Sequence, residues 1–373
     1  MRLASVVGTR PQLIKAAAAR PALERRHRSV LVDTGQHYDD EMAGRFFEEL
    51  GLPAPDRSLR VGGLSRAAAL AAMIERLEPV LVELRPDAVV VYGDTISTLA
   101  GALAAAALDL PLAHVEAGLR SGDRRMPEEQ NRVVVDHLAG LLFPPGPEAV
   151  ANLAAEGIVD GAAGRRVAAV GDLMQDLCAV TLPAARDASP LAGFDVSPGR
   201  YVFATVHRAE NRGYAAVREW LAVLDGLARA DGARRPVVLA LHPGTARAIE
   251  EAGAAVPPTV RIIAPQGYRM TLTLQLHAAA VVTDSGGVQR EAAWLGTPAL
   301  VLRETTEWPE TLEGHGGRGA LVGRDAGRAL EALARLAPRS GAVAAAERRA
   351  REAVVPPAGA AEAIAAELER WRP

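Results

Sequence analysis

Short, almost wholly apolar runs recur along the chain, each closed by a glycine or polar turn and followed by a longer segment with apolar residues at helical spacing. Ala88–Tyr92 (AVVVY) contains no charged residue and reads as a strand buried on both faces, the pattern of a parallel sheet. The same reasoning predicts strands over 3–7, 29–33, 110–115, 138–143 and 166–170, and in the second half over 201–206, 237–241, 261–264, 278–283 and 299–303. Helical patterns lie between them. One begins after Gly8-Thr9-Arg10-Pro11 and carries Lys15; others cover 39–50 (Met42, Phe46 and Leu50 inward), 65–84, the alanine-rich stretch after Thr95, the segment from Pro127, 144–157, 272–277, 288–295, and much of the tail over 328–371. Strand alternating with helix predicts an α/β fold built on doubly wound sheets. Residues 181–200 hold three prolines and little periodicity, which predicts a linker, a first domain over 1–180 and a second over 181–356.

Length supports that division, since 373 residues exceed the usual size of one domain. A net charge of −3 supplies no basic field, so nucleic acid is not an expected partner and an anionic ligand must be met by local cations. Cys178 is the single cysteine, which excludes an internal disulfide, and no ligand set for a metal stands out. The chain passes from Met1 directly into an apolar strand, and charges interrupt its alanine-rich runs. Both features predict a cytoplasmic protein without a membrane partner. Of 42 lysines and arginines only Lys15 is a lysine, which marks a place where a compact ammonium is needed instead of a planar fork.

The predicted strand ends collect the chemistry. Asp94 follows Gly93 at the end of one strand and Glu116 ends the next. The loop after it carries Arg120, Arg124 and Arg125, and a helix then opens with Pro127 and bears Glu128 and Arg132. Carboxylates brought together have their pKa values pushed apart, so one can act as base while another holds a proton. With Arg10, Lys15, Arg120 and Arg132 nearby, they predict acid–base work beside a cradle for a departing diphosphate. In the second half His207 and His242 each follow a strand. Ser285-Gly286-Gly287 opens a helix whose amides suit a phosphate, and Glu291, farther along it, can accept two ribose hydroxyls. Gly314-His315-Gly316-Gly317-Arg318-Gly319 matches a dinucleotide fingerprint by letter. It precedes a strand, whereas that fingerprint opens a helix, so bound NAD is not predicted.

Taken together these motifs resemble the non-hydrolysing UDP-N-acetylglucosamine 2-epimerases. Gly8-Thr9-Arg10-Pro11, Thr34-Gly35-Gln36-His37, Gly93-Asp94-Thr95, His114 through Arg120, Pro127 through Arg132, His207-Arg208, Thr283 through Gly287 and Arg303 through Glu307 carry the resemblance over nearly the whole chain. It implies two Rossmann-like domains in a glycosyltransferase-B arrangement with a cleft between them, the nucleotide held mainly by the second domain and a last helix over about 357–373 crossing back onto the first. It implies a homodimer and neither metal nor nicotinamide cofactor. It also implies a reaction in which UDP is eliminated across C1–C2 to a 2-acetamidoglucal and added back with inverted C2. Position by position, it places Asp94, Glu116, Glu128 and His207 in the acid–base set. Arg10, Lys15, Arg132, His242, Ser285, Gly286, Gly287, Glu291 and Arg303 fall to substrate binding. Gln12, Arg124-Arg125-Met126, Ala209-Glu210-Asn211 and Glu307-Trp308 are similar instead to a branch acting on UDP-2,3-diacetamido-2,3-dideoxyglucuronic acid, and Pro356 through Gly359 replaces the usual glycine-aspartate turn. A nucleotide-sugar transferase of the same architecture, a hydrolytic epimerase and a non-catalytic nucleotide-sugar-binding protein are the competing readings.

Overall fold

The computed structural model describes residues 1–36, 54–230, 235–336 and 341–372. His37 and the helix expected over 39–50 lie outside the described residues. The chain divides into two compact units, Met1–Leu177 with Pro357–Pro373, and Cys178–Pro356.

In unit 1 seven strands are described: β1 (Arg2–Val7), β2 (Arg28–Asp33), β3 (Arg57–Ser58), β4 (Ala88–Tyr92), β5 (Leu112–Val115), β6 (Leu141–Phe143) and β7 (Arg166–Val167). They form one sheet in the order β3-β2-β1-β4-β5-β6-β7, with every pairing parallel. All five residues of β4 are buried, as their uninterrupted apolar run requires. Helices cover both faces. On one, Met73, Leu77 and Leu81 of the helix Arg66–Leu84 and the small residues of Ile96–Ala107 pack with Val89 and Val91. A Cβ on Gly101 would come within 2.8 Å of Val91 Cγ1, so this helix approaches the sheet too closely for a larger residue. On the other face the helix Arg10–Arg26 packs with the C-terminal helix Ala360–Arg370, whose Ile364 and Leu368 are buried beside Leu23. Each such aliphatic side chain contributes roughly 1.5–3 kcal/mol. A bond of 2.8 Å between His27 Nε2 and the Ala365 carbonyl fixes this packing.

Unit 2 holds β8 (Val202–Val206), β9 (Val237–Leu241), β10 (Val260–Ile263), β11 (Ala280–Thr283), β12 (Ala299–Val301) and β13 (Gly319–Leu321), in the order β10-β9-β8-β11-β12-β13 and again parallel throughout. Its largest core gathers Trp220 and Leu224 of the helix Tyr214–Arg229 with Val202, Leu239 and Val282. In both units the chain winds outward from the first strand and then returns to its other side. The reversal falls between β1 and β4 in unit 1 and between β8 and β11 in unit 2, and ligands of such sheets bind at the carboxyl ends beside that point.

Several elements differ from the sequence reading. The stretch 181–200 is not open: the helix Leu173–Ala185 continues into it and a 3-10 turn follows at Ser189–Phe194. Leu182 and Ala185 are buried against Leu272, Leu276 and Val355, and that packing outweighs the three prolines. Leu138 ends a helix instead of starting a strand, because the Ala139 amide bonds to the Val135 carbonyl at 3.0 Å and closes the last turn. The two-residue strand β3 and the helix Pro243–Glu251 carry too little apolar pattern to be read.

Candidate functional site

At the carboxyl end of β1 the chain turns at Gly8, where a Cβ would stand 1.9 Å from Thr34 Oγ1, so only glycine fits. Thr9 and Gln12 then form a capping box, with Arg10 and Pro11 opening the helix. Gln12 Nε2 also donates to the Tyr92 carbonyl at 2.9 Å and to Thr98 Oγ1 at 2.8 Å, which ties this helix start to the end of β4. One helical turn on, Lys15 donates to Glu116 Oε1 at 2.6 Å, with both side chains buried. Glu116 adopts φ 69°, a left-handed conformation that costs a non-glycine residue on the order of 1–3 kcal/mol. Its own amide and that of Ala117 both donate to the Phe143 carbonyl, at 3.1 and 3.2 Å, and hold the turn in place.

The Gly93 turn lies against this pair: a Cβ there would meet Lys15 Nζ at 3.0 Å and Glu116 Oε1 at 3.5 Å. Asp94, next in the chain, pairs through Oδ2 with Arg132 Nη2, and the Asn131 side-chain amide donates to its carbonyl at 2.8 Å. Arg132 is only 2 % exposed, and its Nε and Nη1 have no hydrogen-bond partner among the described residues. Glu129 Oε2 stands 3.5 Å from Nη1, so the guanidinium is paired with two carboxylates while its buried Nε donor is left over for an anion. Glu128, one turn before Arg132 on the helix Pro127–Leu138, is half-buried and has no polar partner among the described residues. Its neighbour Glu129 instead fixes the preceding loop, accepting from the Ser121 and Gly122 amides at 2.8 and 3.1 Å. The structure thus brings Asp94, Glu116, Lys15 and Arg132 to one rim, with Arg10 at the start of the Lys15 helix and Glu128 on the Arg132 helix. Arg120 is turned away from the part expected of it. Its guanidinium is spent on Asp136 and on both oxygens of Glu156, at 2.7–2.8 Å. Arg125 chelates Asp123 at the surface.

In unit 2 the organising group is Asp284, fully buried at the end of β11. It accepts from the backbone amides of His207 and Arg208 at 3.0 and 2.9 Å and from Asn211 Nδ2 at 2.9 Å, and lies 3.1 Å from His207 Nδ1. Burial alone would raise its pKa; the His207 ring, the Asn211 amide and the backbone donors overcome that and hold the carboxyl well below the usual range. A depressed folded-state pKa means that Asp284 contributes stability above its unfolded value near ~3.9, lost as pH falls through the folded value. His207 is held half-exposed at the rim. His242 lies 6.4 Å away ring to ring, its Nδ1 accepting from the Gly244 amide and capping the helix Pro243–Glu251.

The helix Gly286–Trp294 starts beside this group, with Ser285 Oγ accepting from the Val288 amide. Gly286 faces Trp308, whose ring is covered by the Arg290 guanidinium at 3.7 Å. Glu291 is buried and receives Gln275 Nε2 at 2.5 Å, which rules out a solvated helix charge. Arg303 is gripped by both oxygens of Glu307, at 2.6 and 3.1 Å. The glycine-rich segment from Gly314 runs through a 3-10 turn into β13 and opens no helix. Asp284, Gln275 and the Arg290–Trp308 stack were not picked out from sequence as site residues. A polar residue ending the all-apolar strand before Ser-Gly-Gly was the available signal for Asp284; the other two depend on contacts between distant segments. No cluster of histidine, cysteine, aspartate or glutamate suited to a metal occurs among the described residues, nor any helix long and apolar enough to cross a membrane.

Comparison with known proteins matches residues 21–366 to the family model for UDP-N-acetylglucosamine 2-epimerase. A UDP-2,3-diacetamido-2,3-dideoxy-D-glucuronate 2-epimerase of Pseudomonas aeruginosa is 41% identical over 312 residues, 83% of this chain and 85% of that one. A UDP-N-acetylglucosamine 2-epimerase of Methanocaldococcus jannaschii is 37% identical over 343 residues, 89% of this chain and 91% of its own. The crystal structure of Methanocaldococcus jannaschii UDP-GlcNAc 2-epimerase in complex with UDP-GlcNAc and UDP superposes with a TM-score of 0.87 at 34% identity, covering 100% of both chains.

Proposed function

The chain belongs to the UDP-N-acetylglucosamine 2-epimerase family, and from that membership we propose that it interconverts UDP-N-acetylglucosamine and UDP-N-acetylmannosamine. In this reading UDP leaves across C1–C2 to give a 2-acetamidoglucal and returns with C2 inverted. Asp94, Glu116, Glu128 and His207 supply the acid–base groups. Arg10, Lys15 and Arg132 meet the diphosphate and sugar, while His242, Ser285, Gly286, Gly287, Glu291 and Arg303 hold the nucleotide. The observation that carries the proposal is the rim of unit 1, where Lys15 bonds to Glu116 and Arg132 to Asp94. Each carboxylate has a cation at hand to stabilise it as a base and to receive a leaving diphosphate. The same reading makes the enzyme a cytoplasmic homodimer.

A second substrate is favoured by one observation: the Pseudomonas relative acting on the diacetamidoglucuronate shares 41% of aligned residues, against 37% for the Methanocaldococcus enzyme. The extra carboxylate of that sugar calls for one more cation, which Arg124 or Arg125 could supply; of the two, Arg125 already pairs with Asp123. Proton NMR in deuterated water with each UDP-sugar alone tests both substrates. Deuterium entering C2 as the epimer forms is the expected result. Free UDP accumulating with released sugar indicates hydrolysis, and no change in either sugar without an acceptor indicates a transferase or a binding protein.

A further inference from the structure

Behind the rim of unit 1 lies a buried polar cluster that the reaction scheme above does not use. His114 interrupts the apolar strand β5 and is fully buried between Ala113 and Val115. Its Nε2 is 2.8 Å from the Gly93 carbonyl, and its Nδ1 is 2.7 Å from Asp136 Oδ1. A carbonyl has no proton to give, so Nε2 donates. Asp136 Oδ2 accepts from the Gly118 amide at 3.1 Å and from Arg120 Nη1 at 2.8 Å, the partners of an ionised carboxylate. Burial works to raise the Asp136 carboxyl, and the His114 and Arg120 contacts overcome it and hold the group below its ordinary value. With Asp136 ionised, Nδ1 donates too. The ring then carries a proton on each nitrogen.

Charge within the cluster balances. His114 and Arg120 are its cations, Asp136 and Glu156 its anions, and the only other titratable side chain paired with it among the described residues is His137, 3.9 Å from Glu156. A buried ion pair that neutralises itself and satisfies its lone pairs escapes most of the penalty of burial.

What the cluster holds is informative. Gly93 immediately precedes Asp94, Gly118 follows Glu116 by two residues, and Asp136 stands one helical turn after Arg132 and two after Glu128. Glu116 has positive φ, which a non-glycine residue keeps only where surrounding bonds define it, and the cluster bonds to the Gly93 and Gly118 backbones on either side of the rim. We propose that His114 and Asp136 are positioning residues: a ring donating from both nitrogens, and the carboxylate it meets, pin the turn bearing Asp94, the loop bearing Glu116 and the helix bearing Glu128 and Arg132 in one register. The part about the ring stands on hydrogen bonding alone; the part about register rests on the epimerase reading.

The test pairs spectroscopy with kinetics on the full-length protein. In nitrogen-15 spectra of histidine-labelled enzyme at neutral pH, one imidazole, assigned by its loss in His114→Gln, carries a proton on both ring nitrogens. His114→Gln lowers kcat about 10²-fold, the loss a misplacement near 1 Å produces, with KM and UDP affinity held within about threefold. Asp136→Asn keeps the shape but converts the ring to a single-proton form, and lowers kcat about tenfold. A merely structural role would lower the melting temperature and leave kcat per folded molecule unchanged. A singly protonated His114 at neutral pH in the wild type, or kcat retained within about twofold in Asp136→Asn, overturns the proposal, and the Asp136→Asn reading stands even where His114→Gln fails to fold. Wild-type enzyme that epimerises neither sugar would reject the reaction while leaving the protonation result standing.

Discussion

Lys15 and Arg132 in unit 1 meet their carboxylates head to head, ammonium to Glu116 and guanidinium to Asp94, whereas in unit 2 Asp284 is held by the backbone amides of residues 207 and 208 as well as by the His207 ring and the Asn211 side chain. Side-chain pairs can open and re-form around an incoming charge, at a cost set by how well the new partner replaces the old one. Backbone donors cannot leave. The first arrangement suits a place where charge changes during a reaction, and the second a place where a constant charge, such as a nucleotide phosphate, is held. If that contrast is right, substitutions on the two rims separate into different kinetic parameters.

Asp94→Asn gives the largest effect. The asparagine keeps the shape beside Arg132 and the bond from Asn131 to the Asp94 carbonyl, but it can neither take up a proton nor carry the charge that pairs with the buried guanidinium. Turnover is expected to fall about 10³-fold, within the range lost with a general acid or base, and UDP affinity to stay within a few fold. Isothermal titration with UDP beside a turnover assay checks both halves. Loss of UDP binding equal to the loss of turnover would break the contrast between the rims.

Lys15→Arg comes next. Nζ is in bonding contact with Glu116, and the space toward Gly93 is so limited that even a Cβ there would lie 3.0 Å from it. A guanidinium is longer and planar, so the charge survives while the position does not. A fall in kcat of about 10²-fold is expected, the cost of misplacing a reacting group by roughly 1 Å. Kinetics indistinguishable from wild type would show that charge alone is required.

That substitution also shows how much the sequence could reveal. Lys15 stood out because no other lysine occurs, and Asp94 and Glu116 because each follows an apolar run that could only be an interior strand. Parallel sheets in two units, and polar residues at the strand ends, followed from the same alternation. What stayed hidden were pairings across distant segments. Arg120 looked like a phosphate ligand as long as Glu156, 36 residues later, was not known to lie beside it. Gln12 completes the Thr9 capping box and reaches Tyr92, a contact that needs a folded β4 to be visible. Pro183 and its neighbours read as a linker because local propensity is weak evidence against burial of Leu182 in a core.

Gly286→Ala tests unit 2 with the smallest expected effect. The first residue of the helix Gly286–Trp294 tolerates alanine by backbone conformation, but the new methyl would lie 3.0 Å from Trp308 Nε1 and 3.2 Å from Cδ1. Contacts that short require a shift of a few tenths of an ångström, by the indole under Arg290 or by the helix start itself. Amides at a helix start are worth about 0.3–1 kcal/mol to an anion at an exposed site and up to ~2 kcal/mol when partly buried, so displacing them weakens UDP binding about threefold to tenfold. Because no group at this helix start changes its proton during the proposed reaction, kcat should hold within about twofold. Steady-state KM for the UDP-sugar and the dissociation constant for UDP should therefore rise together. A fall in kcat with both unchanged would mean that unit 2 takes part in the proton chemistry through more than His207, and the division of labour between the rims would have to be redrawn.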